Sequence, residues 1–248
     1  MDILYILGAG SLHNNEELRY SLRALEKNVC HAKLVEATRS LSGAEGRVVV
    51  VGENPGFLSE KVEFHYLPEA KGNKEYCIAK KVEWACQNVM QGDFLFMNDD
   101  FFLHKKIVPQ HYPNYQKGCL SHTAPDSNYN KSLQHTFQYL KRLGHTTFHF
   151  DVHTPIIYNS DKFLALSQHW KHSKTLDFGM VVKSVYGNIY QIPHLPYKDV
   201  KLSRLKTLED YQRIDATSCI SCSDAGWRNG VADYLKHKFP NPSIYEKS

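Results

Sequence analysis

No stretch of this 248-residue chain approaches the roughly 18–20 consecutive apolar residues that cross a bilayer, so no membrane span is expected. The opening Met1-Asp2-Ile3-Leu4-Tyr5-Ile6-Leu7-Gly8 carries no basic leader and reads as a buried strand rather than a signal peptide. The six cysteines (30, 77, 86, 119, 219 and 222) lack the spacing of a disulfide framework, so reduced thiols in a cytoplasm are the expectation. Cys219-x-x-Cys222 is a single pair, and neither His194 nor His237 stands at finger spacing from it, which argues against a four-ligand zinc. A Gly-x-Ser-x-Gly elbow is missing, which removes the support for a serine hydrolase. Gly8-Ala9-Gly10-Ser11 has neither the third glycine nor the spacing of a dinucleotide fingerprint. There is no internal repeat, no low-complexity linker and no recognised nucleic-acid motif. The net charge of +4 is too slight to mark a nucleic-acid binder by itself.

What is present is the alternation of strand and helix. The length suits one domain with a full apolar core. Ile3–Leu7, Arg47–Gly52, Val62–Leu67 and Phe94–Met97 read as buried strands, short and β-branched or aromatic. Asn14-Asn15-Glu16-Glu17 opens a helix with an Asn cap and early acids, and Leu18, Leu22 and Leu25 form its apolar stripe. Glu75–Met90 is a second helix. This pattern predicts an α/β fold with a mostly parallel sheet flanked by helices, with ligands bound at the carboxyl ends of the strands. Gly8–Ser11 and Asn98–Asp100 both fall at such ends.

The second half is less regular. Helices are expected over Asn130–Leu143, over Leu176–Val185 with a stop at Tyr186-Gly187-Asn188, and over Asp224–Lys238. Short strands are expected over Thr147–Asp151 and Ile156–Tyr158, and an edge strand over Ile189–Ile192.

Asp99 and Asp100 follow a hydrophobic strand and precede the apolar Phe101-Phe102-Leu103. Adjacent carboxylates there are costly to leave unpaired, and their oxygens suit Mg²⁺ or Mn²⁺, which also bind phosphate. Gly8, Ala9, Gly10 and Ser11 let a ligand approach the backbone closely, or simply make a tight turn. Arg19 and Arg23 share a helical face; Arg19 reads as a phosphate contact or as the partner of a nearby Glu. Asn73 and Lys74 sit at a helix N-terminus suited to anions, with Lys80 a turn further on. Asp151 and His153 offer a base for an acceptor hydroxyl or a further metal ligand. Asp177 and Asp224 are additional acids, and Asp199-Val200-Lys201 and Tyr186-Gly187-Asn188 are candidates to shape the donor pocket.

Phe94-Leu95-Phe96-Met97-Asn98-Asp99-Asp100-Phe101-Phe102 resembles the signature of the Stealth proteins, sugar-phosphate transferases of capsule synthesis related to the lysosomal-targeting GlcNAc-phosphotransferase. Asn15–Glu26 is similar to the segment that precedes this block in the family, and His153-Thr154-Pro155 resembles its His-containing third block. Phe239–Glu246 is similar to a C-terminal segment of several sugar transferases. The resemblance implies a glycosyltransferase-A-type fold, with an Asp-rich motif that binds metal and a sheet that binds nucleotide. Where the family carries a Trp-Val-Asp-Gly-like run, this chain reads Leu7-Gly8-Ala9-Gly10-Ser11, so ordinary glycosyl transfer ranks ahead of sugar-phosphate transfer.

The expectation is thus a metal-dependent glycosyltransferase moving a sugar from a nucleotide-diphosphate sugar, a UDP-sugar first, to a hydroxyl of a carbohydrate or of hydroxymethylated DNA. Sugar-1-phosphate transfer and a nucleic-acid-associated role without transferase activity are the alternatives. Residues 1–110 would bind the nucleotide-sugar, and residues 111–248 would bind acceptor and complete the sheet. Asp99, Asp100 and His153 would hold Mn²⁺ or Mg²⁺. Gly8, Ala9, Gly10, Ser11, Arg19, Asn73, Lys74 and Asn98 would bind the nucleotide, and Asp100, Asp151 and His153 would act in catalysis.

Overall fold

The computed structural model describes residues 1–29, 46–120, 126–199 and 201–247; Cys30 and Val200 lie outside them. The first part of the chain runs β1 (Asp2–Leu7), α1 (Glu16–Asn28), β2 (Val48–Gly52), β3 (Val62–Tyr66), α2 (Lys74–Asn88), β4 (Asp93–Asn98) and β5 (Phe101–Leu103). It continues through β6 (Tyr115–Gln116), α3 (Asn128–Arg142), β7 (Ile156–Asn159), α4 (Ser160–Ala165), α5 (Ser167–Trp170) and α6 (Val182–Ile189). The last part holds β8 (Leu195–Pro196), β9 (Lys201–Leu202), α7 (Leu208–Asp215), β10 (Cys219–Cys222), α8 (Asp224–Gly226) and α9 (Ala232–Lys238).

The main sheet has the order β3-β2-β1-β4-β7. β1, β2, β3 and β4 are parallel, and β7 joins antiparallel to β4. Such a sheet is covered on both faces, which is why Val48–Val51 is apolar without alternation. Ile3, Tyr5 and Leu7 pack with Leu18, Leu22 and Leu25 of α1 on one face. Leu4 and Ile6 pack with Ala79, Val82 and Ala85 of α2 on the other. A second, three-stranded sheet, β5-β10-β9, continues the core on the α1 side. Among the described residues no helix is long and apolar enough to cross a membrane.

Several second-half expectations are corrected. Residues 176–181 are not helical, because side chains take their backbone groups. Gly179 N donates to Ser132 Oγ (3.2 Å), Val181 N donates to Thr136 Oγ1 (2.9 Å), and Leu176 O accepts from Asn73. The helix starts at Val182 and runs through Tyr186-Gly187-Asn188, the predicted stop. Gly187 is needed inside it, because a Cβ there would stand 2.5 Å from the Phe150 ring. Thr147–Asp151 forms an isolated antiparallel bridge, Phe148 with Cys119, rather than a strand of a sheet; Asn188 clamps Phe148, accepting from its N–H and donating to its carbonyl at 2.8 Å each. Ile189–Ile192 is the end of α6 and a turn, with Gln191 at φ 46°. The final predicted helix breaks at Asn229-Gly230, where Gly230 has φ 108° and lies against the Leu205 carbonyl.

The C-terminal segment is tied to α1 by charge. Glu246 accepts from Arg19 Nη1, Arg23 Nε and Arg23 Nη2, each at 2.8 Å, and from Ser243 N at 2.8 Å. Burial resists ionisation here, but these donors outweigh it and hold the Glu246 carboxyl down at about 2. A depressed folded pKa contributes stability that is full above the ordinary glutamate value and is lost as pH falls through about 2. Glu246→Gln is expected to cost about 2 kcal/mol in urea unfolding at pH 7. The variant should also lose less stability between pH 5 and 2 than the wild type; coincident acid curves would contradict the assignment.

Candidate functional site

β1 and β4 are neighbours, in register from Asp2↔Phe94 to Ile6↔Asn98. β2 follows on one side of β1 and β4 lies on the other, so the chain order reverses between them. The crevice beyond the carboxyl ends at such a switch point is where open α/β sheets take ligands. Two loops meet the solvent here. Gly8, Ala9 and Gly10 are exposed after β1, with open space around Gly10. Asn98, Asp99 and Asp100, each half-buried, carry the chain from β4 to β5 and so from the large sheet to the small one.

The first loop is pinned from behind. Buried Lys81 donates to the Leu7 carbonyl at 2.8 Å and to Glu69 at 2.7 Å, and Glu69 accepts from Ala9 N at 3.3 Å. Neither Glu69 nor Lys81 was singled out in the sequence, because their roles depend on a carbonyl 74 residues from the lysine. Ser11 turns inward: its Oγ accepts from Asn15 N (2.9 Å) and His13 N (3.2 Å) and so braces the turn before α1, whose N-cap residue Asn15 makes no side-chain cap bond.

Asp100 Oδ2 accepts from Ser221 Oγ of β10 at 2.9 Å and lies 3.9 Å from Lys201 Nζ. Among the described residues no side chain bonds to Asp99 in this way. Burial first, then the charges of Asp100 and Glu17, push its carboxyl well above the usual carboxylate range, and Lys74 offsets this only in part. The loop thus concentrates carboxylate oxygen, with Lys74, Lys201 and Lys183 near it but with no short ion pair to Asp99 or Asp100 among the described residues. That donor set is the one Mg²⁺ and Mn²⁺ take, and a divalent ion would relieve the repulsion that raises Asp99.

A second cluster adjoins it through Phe101. The His153 ring meets the Phe101 ring edge-on at 6.5 Å, and Lys183 Nζ lies over that ring at 4.6 Å. Asp199 holds His153 twice, accepting from its backbone N at 3.0 Å and meeting its Nδ1 at 2.8 Å; Lys117 donates to the same carboxylate at 2.6 Å. Burial opposes ionisation of Asp199, but His153 and Lys117 hold its carboxyl far below the usual range. Asp151 accepts from Tyr129 OH at 2.8 Å; burial is again outweighed, chiefly by Lys183, and its carboxyl is lowered. Burial brings His149 down to about 4, so this ring is neutral at pH 7. Lys183, buried in α6, donates to the Val152 and Thr154 carbonyls at 2.8 Å each and so grips the backbone on both sides of His153. Burial draws its amine down to about 8, against the carboxylates of Asp151, Asp100 and Asp199.

Other expected site residues are used differently. Arg19 is not directed at the crevice; it pairs with Glu16 (2.7 Å) and Glu246 and lies over the Phe57 ring at 4.1 Å. Asn73 is a buried helix cap, accepting from Tyr76 N (2.9 Å) and donating to the Ser173 (2.7 Å) and Leu176 (3.1 Å) carbonyls, so both its amide hydrogens are taken and neither is left for a phosphate. Lys80 pairs with Glu83. Asp177 is exposed, and Asp224 faces His13 rather than Asp99. Tyr186 and Asn188 are buried in α6 as scaffold. Cys219 and Cys222 are buried free thiols in β10. Asp99, Asp100 and His153 do not form a metal-binding trio; among the described residues the grouped ligand atoms are those of His13, Glu17 and Asp224. His153 is held back by Asp199, leaving the two aspartates as a pair.

Lys183→Met would strip Asp151 of its nearest cation and leave two buried carbonyls unpaired. It is expected to cost about 3–5 kcal/mol in urea unfolding; a loss under about 1 kcal/mol would contradict the grip described here. No protein-family model matches this chain, and no curated protein matches it.

Proposed function

We propose that the protein is a metal-dependent sugar transferase of glycosyltransferase-A type, taking its donor as a nucleotide-diphosphate sugar. The observation that carries this reading is the pair Asp99–Asp100, with no short ion pair among the described residues, at the sheet's switch point. The resemblance of Phe94–Phe102 to the Stealth signature supports the same chemistry.

Asp99 and Asp100 would hold Mn²⁺ or Mg²⁺ against the diphosphate. When bound, the ion supplies neutralisation of charge on the departing diphosphate. The chain's own residues do the rest. The exposed backbone of Gly8–Gly10 lets the nucleotide approach the end of β1. Lys74, exposed at the start of α2 and within electrostatic reach of Asp99, adds positive potential beside the phosphates. Asp199 on Nδ1 fixes the orientation of the His153 ring, so His153 serves as base for the acceptor hydroxyl through its other nitrogen. Asp151, tied to Tyr129 and Lys183, positions the loop rather than taking the proton.

Two variants separate these roles. Asp100→Asn keeps the Ser221 contact but removes charge; it should weaken Mn²⁺-dependent UDP-sugar binding at least tenfold and lower kcat by about 10²-fold or more. His153→Ala should lower kcat by about 10²–10⁴-fold with donor affinity little changed. Metal-dependent donor binding intact in Asp100→Asn would refute the assignment. The by-product decides the reaction: nucleoside diphosphate means sugar transfer, and nucleoside monophosphate means sugar-phosphate transfer.

A further inference from the structure

The turn that leads into α1 holds a set of donor atoms apart from the Asp99–Asp100 pair. His13 Nε2 lies 3.8 Å from Glu17 Oε1 and 3.7 Å from Asp224 Oδ1. The three ligand atoms all fall within 4.8 Å of one another. Both measured separations are too long for hydrogen bonds. Yet His13 Nε2 is buried and has no hydrogen-bond partner. Around a tetrahedral ion with ligands at about 2.0–2.2 Å, neighbouring donor atoms stand about 3.3–3.6 Å apart, close to the 3.8 and 3.7 Å from His13 to Glu17 and to Asp224.

The donors are also held from behind, as metal ligands are. The His13 ring stacks on Trp227 at 5.7 Å and 25°. Glu17 Oε2 accepts from Ser11 Oγ at 3.4 Å, and that oxygen itself accepts from His13 N. In the same turn Asn15 Oδ1 is a further buried oxygen without a partner. Asp224, at the start of α8, is 59% exposed in its side chain and leaves a solvent side for entry and for a bound water.

We propose that His13, Glu17 and Asp224 bind one Zn²⁺ ion, which joins the turn before α1 to the start of α8. An imidazole beside two carboxylates favours such an ion over Mg²⁺, which takes oxygen donors and keeps its waters. The site does not depend on the transferase reading, since it uses neither Asp99 nor Asp100.

The test uses the full chain carrying Asp99→Asn and Asp100→Asn, so that binding at that pair is absent. Zn²⁺ titrated by calorimetry should bind at one equivalent. Co²⁺ in its place should give visible absorption and quench tryptophan fluorescence, through Trp227 behind the His13 ring. Adding His13→Ala or Asp224→Asn should each weaken Zn²⁺ at least tenfold and abolish the Co²⁺ absorption. Asp224 is exposed, so its variant should melt at the same temperature as its parent without metal. No binding in the parent would overturn the proposal. Equal affinity in the parent and in both added variants would overturn it too. Mn²⁺ bound at least as tightly as Zn²⁺ would overturn the choice of ion.

Discussion

Asp99 and Asp100 stand where the chain leaves the five-stranded sheet and enters the three-stranded one, and their charge is the constraint around which the site is arranged. Two adjacent carboxylates at this depth repel one another, and Glu17 adds to the repulsion. The fold tolerates them because β5 and β10 fix the turn and Ser221 binds one of them. It does not neutralise them: Lys201 stays at 3.9 Å from Asp100, and Lys74 is exposed. Where structural acids of this protein are neutralised, the match is close, as at Glu246 with two arginines or Glu69 with Lys81. The contrast sets the Asp99–Asp100 turn apart from these paired acids, and the proposed metal would supply the missing charge.

The second cluster obeys the opposite rule. Asp151 and Asp199 are both compensated, by Lys183, Lys117, Tyr129 and His153, and both stay ionised. Lys183 also joins this cluster to the Asp99–Asp100 turn, lying over Phe101 while holding the carbonyls that flank His153. One buried amine thus fixes the position of the imidazole relative to the turn. Its long side chain is fully used, two hydrogen bonds and three carboxylates in reach, which is how a buried lysine is tolerated.

The first four strands and the first two helices were readable because their apolar patterns are local and strong. Asp99–Asp100 was readable for the same reason, since acids that end a buried strand stand out. Arg19 pairs with the nearby Glu16, one of its two expected uses, while its other partner and that of Asn73 are distant and leave no local mark: Glu246 lies 227 residues from Arg19, and the Ser173 carbonyl 100 from Asn73. Lys183, Glu69 and Lys81 carry no local mark, since each acts on carbonyls or acids supplied by other elements. In the second half, Ser132, Thr136 and Asn188 hold backbone that periodicity alone would place in a helix or strand.

If the proposed metal supplies the turn's missing charge, metal and nucleoside diphosphate must each strengthen the other's binding by the same factor. Mn²⁺ affinity measured with and without UDP, and UDP affinity measured with and without Mn²⁺, test this directly. The account predicts a reciprocal gain of at least about tenfold in the wild type, abolished in the Asp99→Asn, Asp100→Asn double variant. UDP affinity that is indifferent to Mn²⁺, with the pair intact, would contradict it.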